Sequence, residues 1–411
     1  MTTTAPGSTT PTSPEPSRRQ RTAERERLRR KHIRRRIVVG VIGIFVVVVG
    51  FSWVRAITKA GQESFAARNA EWMRDHHLGF IVDKFEQVQV ANDQPKDGGT
   101  PSKALTRSDA VPTTQPSRKA AAVVAVPPPP AMRTSAAQPF AGEGVWTPAG
   151  PLTKDGHYGV YTTKVRPNAR KSSLVVFVAR IDPKHSQVKI IPGTELPGGT
   201  WSHAPQITAA ECPTAILASN GGFRFDQSQG GWYSDGRVSP NFALANGAAS
   251  LVTYKDGTVT VGQWGRDISE KDLPRVQTVR QNLGLMVDGG AVVGNIDDGP
   301  KWGAKLRNSL FIWRSGYGIT ADGNLIYIGG PGLTPRDLAE RFVDAGAVRA
   351  MQGDINPEWV AANLISSDAS GCHGTKGLDA TPATGGQQSG PNRYLSVDTR
   401  DFVAVLAKPA S

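Results

Sequence analysis

Ile37 to Val54 reads IVVGVIGIFVVVVGFSWV, 18 residues without a single charge. As a helix this run spans about 27 Å at ~1.5 Å per residue, close to the hydrocarbon core of a bilayer. The arginines from Arg18 to Arg36 lie on its N-terminal side. By the positive-inside rule that leaves the N-terminus in the cytoplasm. A cleaved signal peptide is the alternative, but its apolar core is shorter and is followed by small residues at the cut site. Phe51, Trp53 and Arg55 stand there instead. The expectation is an uncleaved, single-pass signal anchor in the cell membrane, with the C-terminal domain extracytoplasmic.

The formal charge of +13 divides unevenly about this run. Residues 1–36 carry 11 Lys/Arg against 3 Asp/Glu, residues 37–139 carry 11 against 8, and residues 140–411 carry 26 against 24. The excess of positive charge thus belongs mainly to the tail. A nucleic-acid partner, which needs a basic face on the folded domain, is not expected.

Composition sets the remaining boundaries. Residues 1–36 are Thr/Pro/Ser-rich and then Arg-rich, which predicts a disordered basic tail beside anionic headgroups, followed by the anchor at 37–54. Residues 55–90 have few breakers, and Phe65, Trp72 and Met73 recur at roughly helical spacing, which predicts a helical stalk. Residues 91–139 turn to Pro and Ala and include VPPPPAM, a semi-extended linker. Residues 140–411 are large enough to bury a substantial core. Cys212 and Cys372 both follow the anchor, where an oxidising compartment favours a disulfide between them; two buried free thiols is the alternative.

The text of the folded domain is mostly strand-like. SLVVFVARI and QVKIIPG read as strands, SLVTYKDGTVTVGQW as a hairpin around Asp256-Gly257, and LGLMVDGGAVVG as a second hairpin. One helix is well signalled. Thr334 suits the N-cap, Pro335 the first helical position, Asp337 the positive end, and Gly346 the stop, with Leu338, Phe342 and Val343 on one face. Strands NLIYIGG and AVRAMQGD flank it. The fold class expected is therefore α+β, a β-rich mixed sheet with a βαβ crossover. Both crossover strands end on one side, so Gly329-Gly330 and Gly353 to Asn356 share a rim where clefts open.

Several residues carry candidate chemistry. Asp354 and Asn356, at a strand's C-terminal end, can serve as acid/base, metal ligand or sugar-hydroxyl acceptor; an Asx turn is the plain alternative. Arg314 can fork onto a phosphate or carboxylate, or make a structural ion pair. Ser315 has no nearby His and no nucleophile elbow. In LASNGGFRFDQSQGGWYSDGRV, Asn220 with Gly221 and Gly222 exposes bare backbone upstream of Trp232. No His-Glu-x-x-His or Cys-x-x-Cys occurs, so zinc chemistry finds little motif support. No cofactor is otherwise indicated, although oxygen ligands at the Asp354 rim leave Ca²⁺ or Mg²⁺ open.

Asn220-Gly221-Gly222-Phe223, RSGYGITADGNLIYIGG, GLTPRDLAERFVDAGAVRAMQGD and the closing NRYLSVDTRDFVAVLA together resemble the phosphodiester glycosidase domain family. Its lysosomal member, the uncovering enzyme, removes N-acetylglucosamine from a sugar phosphodiester. The resemblance runs from about Ile207 to Leu406. It implies that Asn220, Arg314, Ser315 and Asp354 lie around a sugar-phosphate pocket, with glycines near Asn220 letting backbone approach a ligand and Trp232 offering a ring face. Two departures stand out. Ile355-Asn356-Pro357 replaces the family's glycines and Ser after the Asp, and Arg224 replaces the second Phe of the first motif. The resulting expectation is a membrane-anchored hydrolase of sugar-phosphodiester linkages in a cell-envelope glycan. Asp354 and Arg314 would be catalytic, and Asn220, Gly221, Gly222, Trp232, Ser315 and Asn356 would bind substrate. A non-catalytic glycan-binding protein with the same fold is the alternative.

Overall fold

The computed structural model describes residues 18–59, 61, 63–92, 94–101, 123–135, 138–303, 311–378 and 389–408. Residues 1–17 of the expected tail and 102–122 of the expected linker lie outside these. The chain divides into two units, Met1–Lys59 and Ala60–Ser411. The first contains one helix, Arg18–Ile57. Its segment from Arg25 is long and apolar enough to cross a membrane or to act as a signal sequence. The arginine-rich part of the tail from Arg18 onward continues this helix. Arg and Glu are good helix formers, so a charge-rich sequence joins a helix already nucleated by its apolar neighbour.

In the second unit the expected stalk is two helices, Phe65–Asp75 and Gly79–Asn92. Ser64 caps the first by accepting from the Ala67 N–H, and His77, at φ 63°, turns the chain between them. Arg74 pairs with Glu86 at 2.8 Å across the turn. The described ends of the linker also lie on the β-rich part. Asp97 pairs with Lys171 at 2.6 Å, the Val126 N–H donates to Gly156, and Met132 is buried.

Three antiparallel sheets make up the α+β fold. The largest has eight strands in the order 147–152, 158–165, 176–181, 325–333, 312–320, 347–352, 285–288, 291–292. A five-stranded sheet holds 232–234, 237–238, 249–254, 259–263 and 276–281; another holds 186–191, 215–220, 362–368, 371–376 and 402–407. Both predicted hairpins form, Ala249–Tyr254 with Val259–Gln263 and Leu285–Asp288 with Ala291–Val292.

The predicted helix is Pro335–Asp344, with Thr334 and Asp337 forming a reciprocal capping box. It links Leu325–Leu333 to Ala347–Gln352. These strands run in the same direction, but Ile312–Thr320 lies between them and pairs antiparallel with each. The crossover is thus split around a third strand. Gly316 and Gly318 of that strand make room for the helix: a Cβ on either would fall within 2.9 Å of the Phe342 ring. Cys212 and Cys372 form a disulfide that ties a short turn to the hairpin strand Gly371–Lys376.

Candidate functional site

The strand pairings bring three chain segments to one end of the domain. Phe402 sits opposite Asn220, and Gly316 sits opposite Gln352. The start of the last strand therefore meets the loops that follow Asn220 and Gln352. Ser315 joins them, since its N–H donates to the Asp354 carbonyl at 2.9 Å and its Oγ accepts from the Asp354 N–H at 3.0 Å.

Beneath the surface lies a closed polar network. Asn220 Nδ2 donates to Ser315 Oγ at 2.9 Å, and Asn220 Oδ1 accepts from Tyr327 OH at 2.9 Å and the Ala361 N–H at 3.2 Å. Tyr317 OH donates to the Asn220 carbonyl at 2.6 Å. Burial pushes both phenols well above their ordinary value, so they act as fixed donors. A satisfied buried network of this kind holds backbone in place.

Above it opens a cleft of about 1070 Å³, with Phe223, Asp354, Ile355, Asn356, Trp359 and Arg400 among its walls. Asp354 Oδ1 accepts from the Ile355 and Asn356 N–H groups at 2.7 and 2.9 Å. Its Oδ2 accepts from Arg400 Nη1 at 3.1 Å. Burial pushes the carboxyl up, Arg400 and the two N–H groups pull it back, and the balance leaves it above its ordinary value. Arg400 lies over the Trp359 ring at 3.7 Å and reaches Glu71 with its other nitrogen at 2.6 Å. Arg74, Asp83 and Glu86 of the helical pair also line this cleft. Those helices are therefore part of its wall.

The predicted site residues separate. Asp354 and Asn356 line the cleft, while Asn220 and Ser315 lie in the network below it. Arg314 turns to the opposite face of its strand from Ser315, as neighbours in a strand do. There it donates to the carbonyls of Leu333 and Trp302 and to Gln352 Oε1, at 3.0, 3.2 and 2.7 Å. Burial pushes its guanidinium down to about 9, still a cation at neutral pH. Trp232 is wholly buried in the main core against Phe225 and Trp201, which leaves no ring face for a sugar. Gly221 and Gly222 do serve a close approach, but to the buried Arg280–Asp401 pair: an added Cβ would lie 2.0 Å from Asp401 Oδ2 or 2.6 Å from Arg280 Nη1.

Arg400 and Trp359, the groups that flank Asp354, were missed by the sequence reading. The signal present was Arg400-Asp401 immediately before an apolar strand, the mirror of Asp354 after one. No cation position stands out at Asp354, whose oxygens are taken by Arg400 and two N–H donors. Among the described residues, the cluster with metal-ligand spacing is Asp155, His157 and His185. It lies at the other end of the eight-stranded sheet, because Ile181 pairs with Leu325 and the crossover strand begins at Ala347.

No family model matches the chain, and no curated protein does. Among solved structures, the chain is similar to the zebrafish N-acetylglucosamine-1-phosphodiester alpha-N-acetylglucosaminidase catalytic domain auto-inhibited by its pro-peptide. That likeness has 15% identity and a TM-score of 0.38, and covers 61% of this chain and 82% of that one. A hypothetical protein from Synechocystis is similar at 13% identity and a TM-score of 0.32, over 61% of this chain and 62% of that one. Both are distant likenesses of fold.

Proposed function

We propose that the chain is a membrane-anchored extracytoplasmic hydrolase that cleaves the glycosidic bond to phosphate in a sugar-phosphate polymer of the cell envelope. The observation that carries this reading is the Asp354–Arg400 pair on the Trp359 face in the cleft wall. A carboxyl held above its ordinary value is suited to protonate a leaving oxygen. The guanidinium beside it is suited to the phosphate, which leaves as the monoester while water adds to the sugar carbon. Asn356 is assigned to a sugar hydroxyl. Arg400 takes the phosphate role that the sequence had suggested for Arg314.

A non-catalytic glycan-binding protein is the second reading. It is favoured by one observation: both oxygens of Asp354 are already hydrogen-bonded, and Glu71 occupies Arg400. The test uses the full chain in detergent micelles with a panel of sugar-1-phosphate diesters. Free sugar released by the wild type, and lost in Asp354→Asn and Arg400→Lys, supports hydrolysis. Binding of envelope glycan without release, by folded wild type and by Glu71→Ala alike, overturns hydrolysis in favour of the binder.

A further inference from the structure

The turn Thr153–His157 and the turn Asp182–Ser186 bring two imidazoles and two carboxylates together, away from the cleft. His157 and His185 stack with centroids 4.3 Å apart and planes 11° from parallel. His185 Nδ1 is 2.7 Å from Asp182 Oδ2, and its Nε2 is 3.1 Å from Asp155 Oδ2. Each carboxylate is anchored by its other oxygen: Asp155 Oδ1 accepts from Thr153 Oγ1 at 2.6 Å, and Asp182 Oδ1 from the Lys184 N–H at 2.8 Å.

A neutral imidazole has one N–H to give. If His185 gives it to Asp182, its Nε2 lone pair faces a carboxylate oxygen, a repulsive contact unless a cation separates them. We infer that Asp155 Oδ2, His185 Nε2 and a ring nitrogen of His157 form a binding site for a divalent transition ion of the zinc class. Asp182 fixes the tautomer of His185 from behind, the carboxylate–histidine–metal arrangement. The ligand atoms all lie within 4.8 Å of one another. A tetrahedral ion with bonds of ~2.0–2.1 Å wants them about 3.3 Å apart. An imidazole binds in its own plane, so the His157 ring must turn out of its stack on His185 for both to face one ion. Two nitrogens and one oxygen suit zinc, copper or nickel better than the Ca²⁺ or Mg²⁺ that the sequence leaves open at the Asp354 rim, which prefer all-oxygen sites. With three protein ligands, a fourth position is left to water. The ion would link the turn of the first hairpin, where Gly156 also receives the Val126 N–H of the linker, to the turn Asp182–Ser186. Sequence spacing hid the site because its ligands lie 30 residues apart on two turns.

The test strips the full chain, in detergent and without a histidine tag, with a chelator. It is then titrated with Zn²⁺ against a chromophoric competitor, with Co²⁺ as a spectroscopic probe. One Zn²⁺ per chain is expected, together with a rise in thermal midpoint and a visible Co²⁺ band. Affinity should fall about 100-fold or more in His157→Ala and in His185→Ala, and about 10–100-fold in Asp182→Asn. Far-UV circular dichroism of each variant checks that it folds. Folded wild type that takes up no Zn²⁺ would mean that His185 and the two carboxylates serve only to hold the two turns together. Unchanged stoichiometry and affinity in the double His variant would place any bound ion elsewhere. Either result overturns the site.

Discussion

Replacing Glu71 with Ala tests whether charge holds the helices Phe65–Asp75 and Gly79–Asn92 over the cleft. The Glu71 carboxylate accepts from Arg400 Nη2 at 2.6 Å, pairs with Arg224, and belongs to a side chain only 17% exposed. Removing one partner of a buried pair costs about 3–5 kcal/mol. The low end applies here, because Arg400 keeps Asp354 at 3.1 Å and Arg224 keeps Asp75 at 2.8 Å. About 3 kcal/mol corresponds to roughly a 100-fold increase in the opening equilibrium of the helical pair. Amide hydrogen exchange reads that directly. Exchange across 65–92 should quicken by about that factor, while the strands Ile312–Thr320 and Leu325–Leu333 stay protected. Acid should act on the wild type in the same direction. Burial alone would raise the Glu71 carboxyl, yet Arg400, Arg224 and Arg74 hold it below its ordinary 4.5. Its contribution is therefore complete above pH 4.5 and is lost as the pH falls below that value. Exchange over 65–92 that stays within about twofold of wild type in Glu71→Ala would refute the reasoning.

Asp401→Ala leaves Arg280 buried without its counter-charge, with both side chains 2% exposed in the native pair. A loss of about 3–5 kcal/mol should lower the thermal midpoint by roughly 6–10 °C, and Arg280→Met with Asp401→Leu should recover most of it. A midpoint unchanged in Asp401→Ala would remove that pair from the account of stability. Arg314→Lys should cost about 1.5–3 kcal/mol, because a lysine cannot fork onto three acceptors. Turnover should then fall only as the folded fraction falls, and a raised KM with full stability would return Arg314 to the substrate. The Cys212–Cys372 bond closes a sequence separation of 160 residues. In the chain-entropy view its removal costs at most about 5 kcal/mol. Thermal unfolding of Cys212→Ser/Cys372→Ser should match wild type under reductant; equal midpoints in oxidised wild type and the double variant would show that the bond adds nothing.

Local chemistry made part of this legible. The helix Pro335–Asp344 was readable end to end because cap, proline, acidic first turn and stop glycine all agree. The hairpins were readable from their Asp-Gly turns. Asp354 was readable as a polar group at the end of an apolar run. What failed were the readings that depend on which face a side chain takes. Arg314 and Ser315 are adjacent in sequence, and only the pairing with Gly330 and Gly329 sends one toward the helix and the other toward Asn220. Trp232 beside glycines looks like an exposed platform until the sheet around it closes. Arg400 comes to Asp354 only through the antiparallel register that sets Phe402 against Asn220. The helices at 65–92 read as a stalk because their ionic partners, Arg224 and Arg400, lie some 150 and 330 residues downstream.

That register has a consequence for where an anion can bind. Four arginines gather around the network beneath the cleft, and three are locked. Arg280 is held by Asp401 and by the carbonyls of Gln281 and Phe223. Arg314 is held by the carbonyls of Leu333 and Trp302 and by Gln352, and Arg393 by Asp398 and the Glu358 carbonyl. Each is 2% exposed, and their partners belong to the sheets or to the loops joining them. Displacing any of those partners would dismantle the core. Arg400 differs, because one of its two anionic partners, Glu71, sits on a helical pair outside the sheets. In the proposed function a phosphate would take the place of Glu71, a change that leaves the strand pairings and the Arg400–Asp354 contact as they are. Among these four cations, Arg400 alone has a carboxylate partner on the helical pair, so under the proposed function it is the one of the four that could exchange that carboxylate for a phosphate beside Asp354.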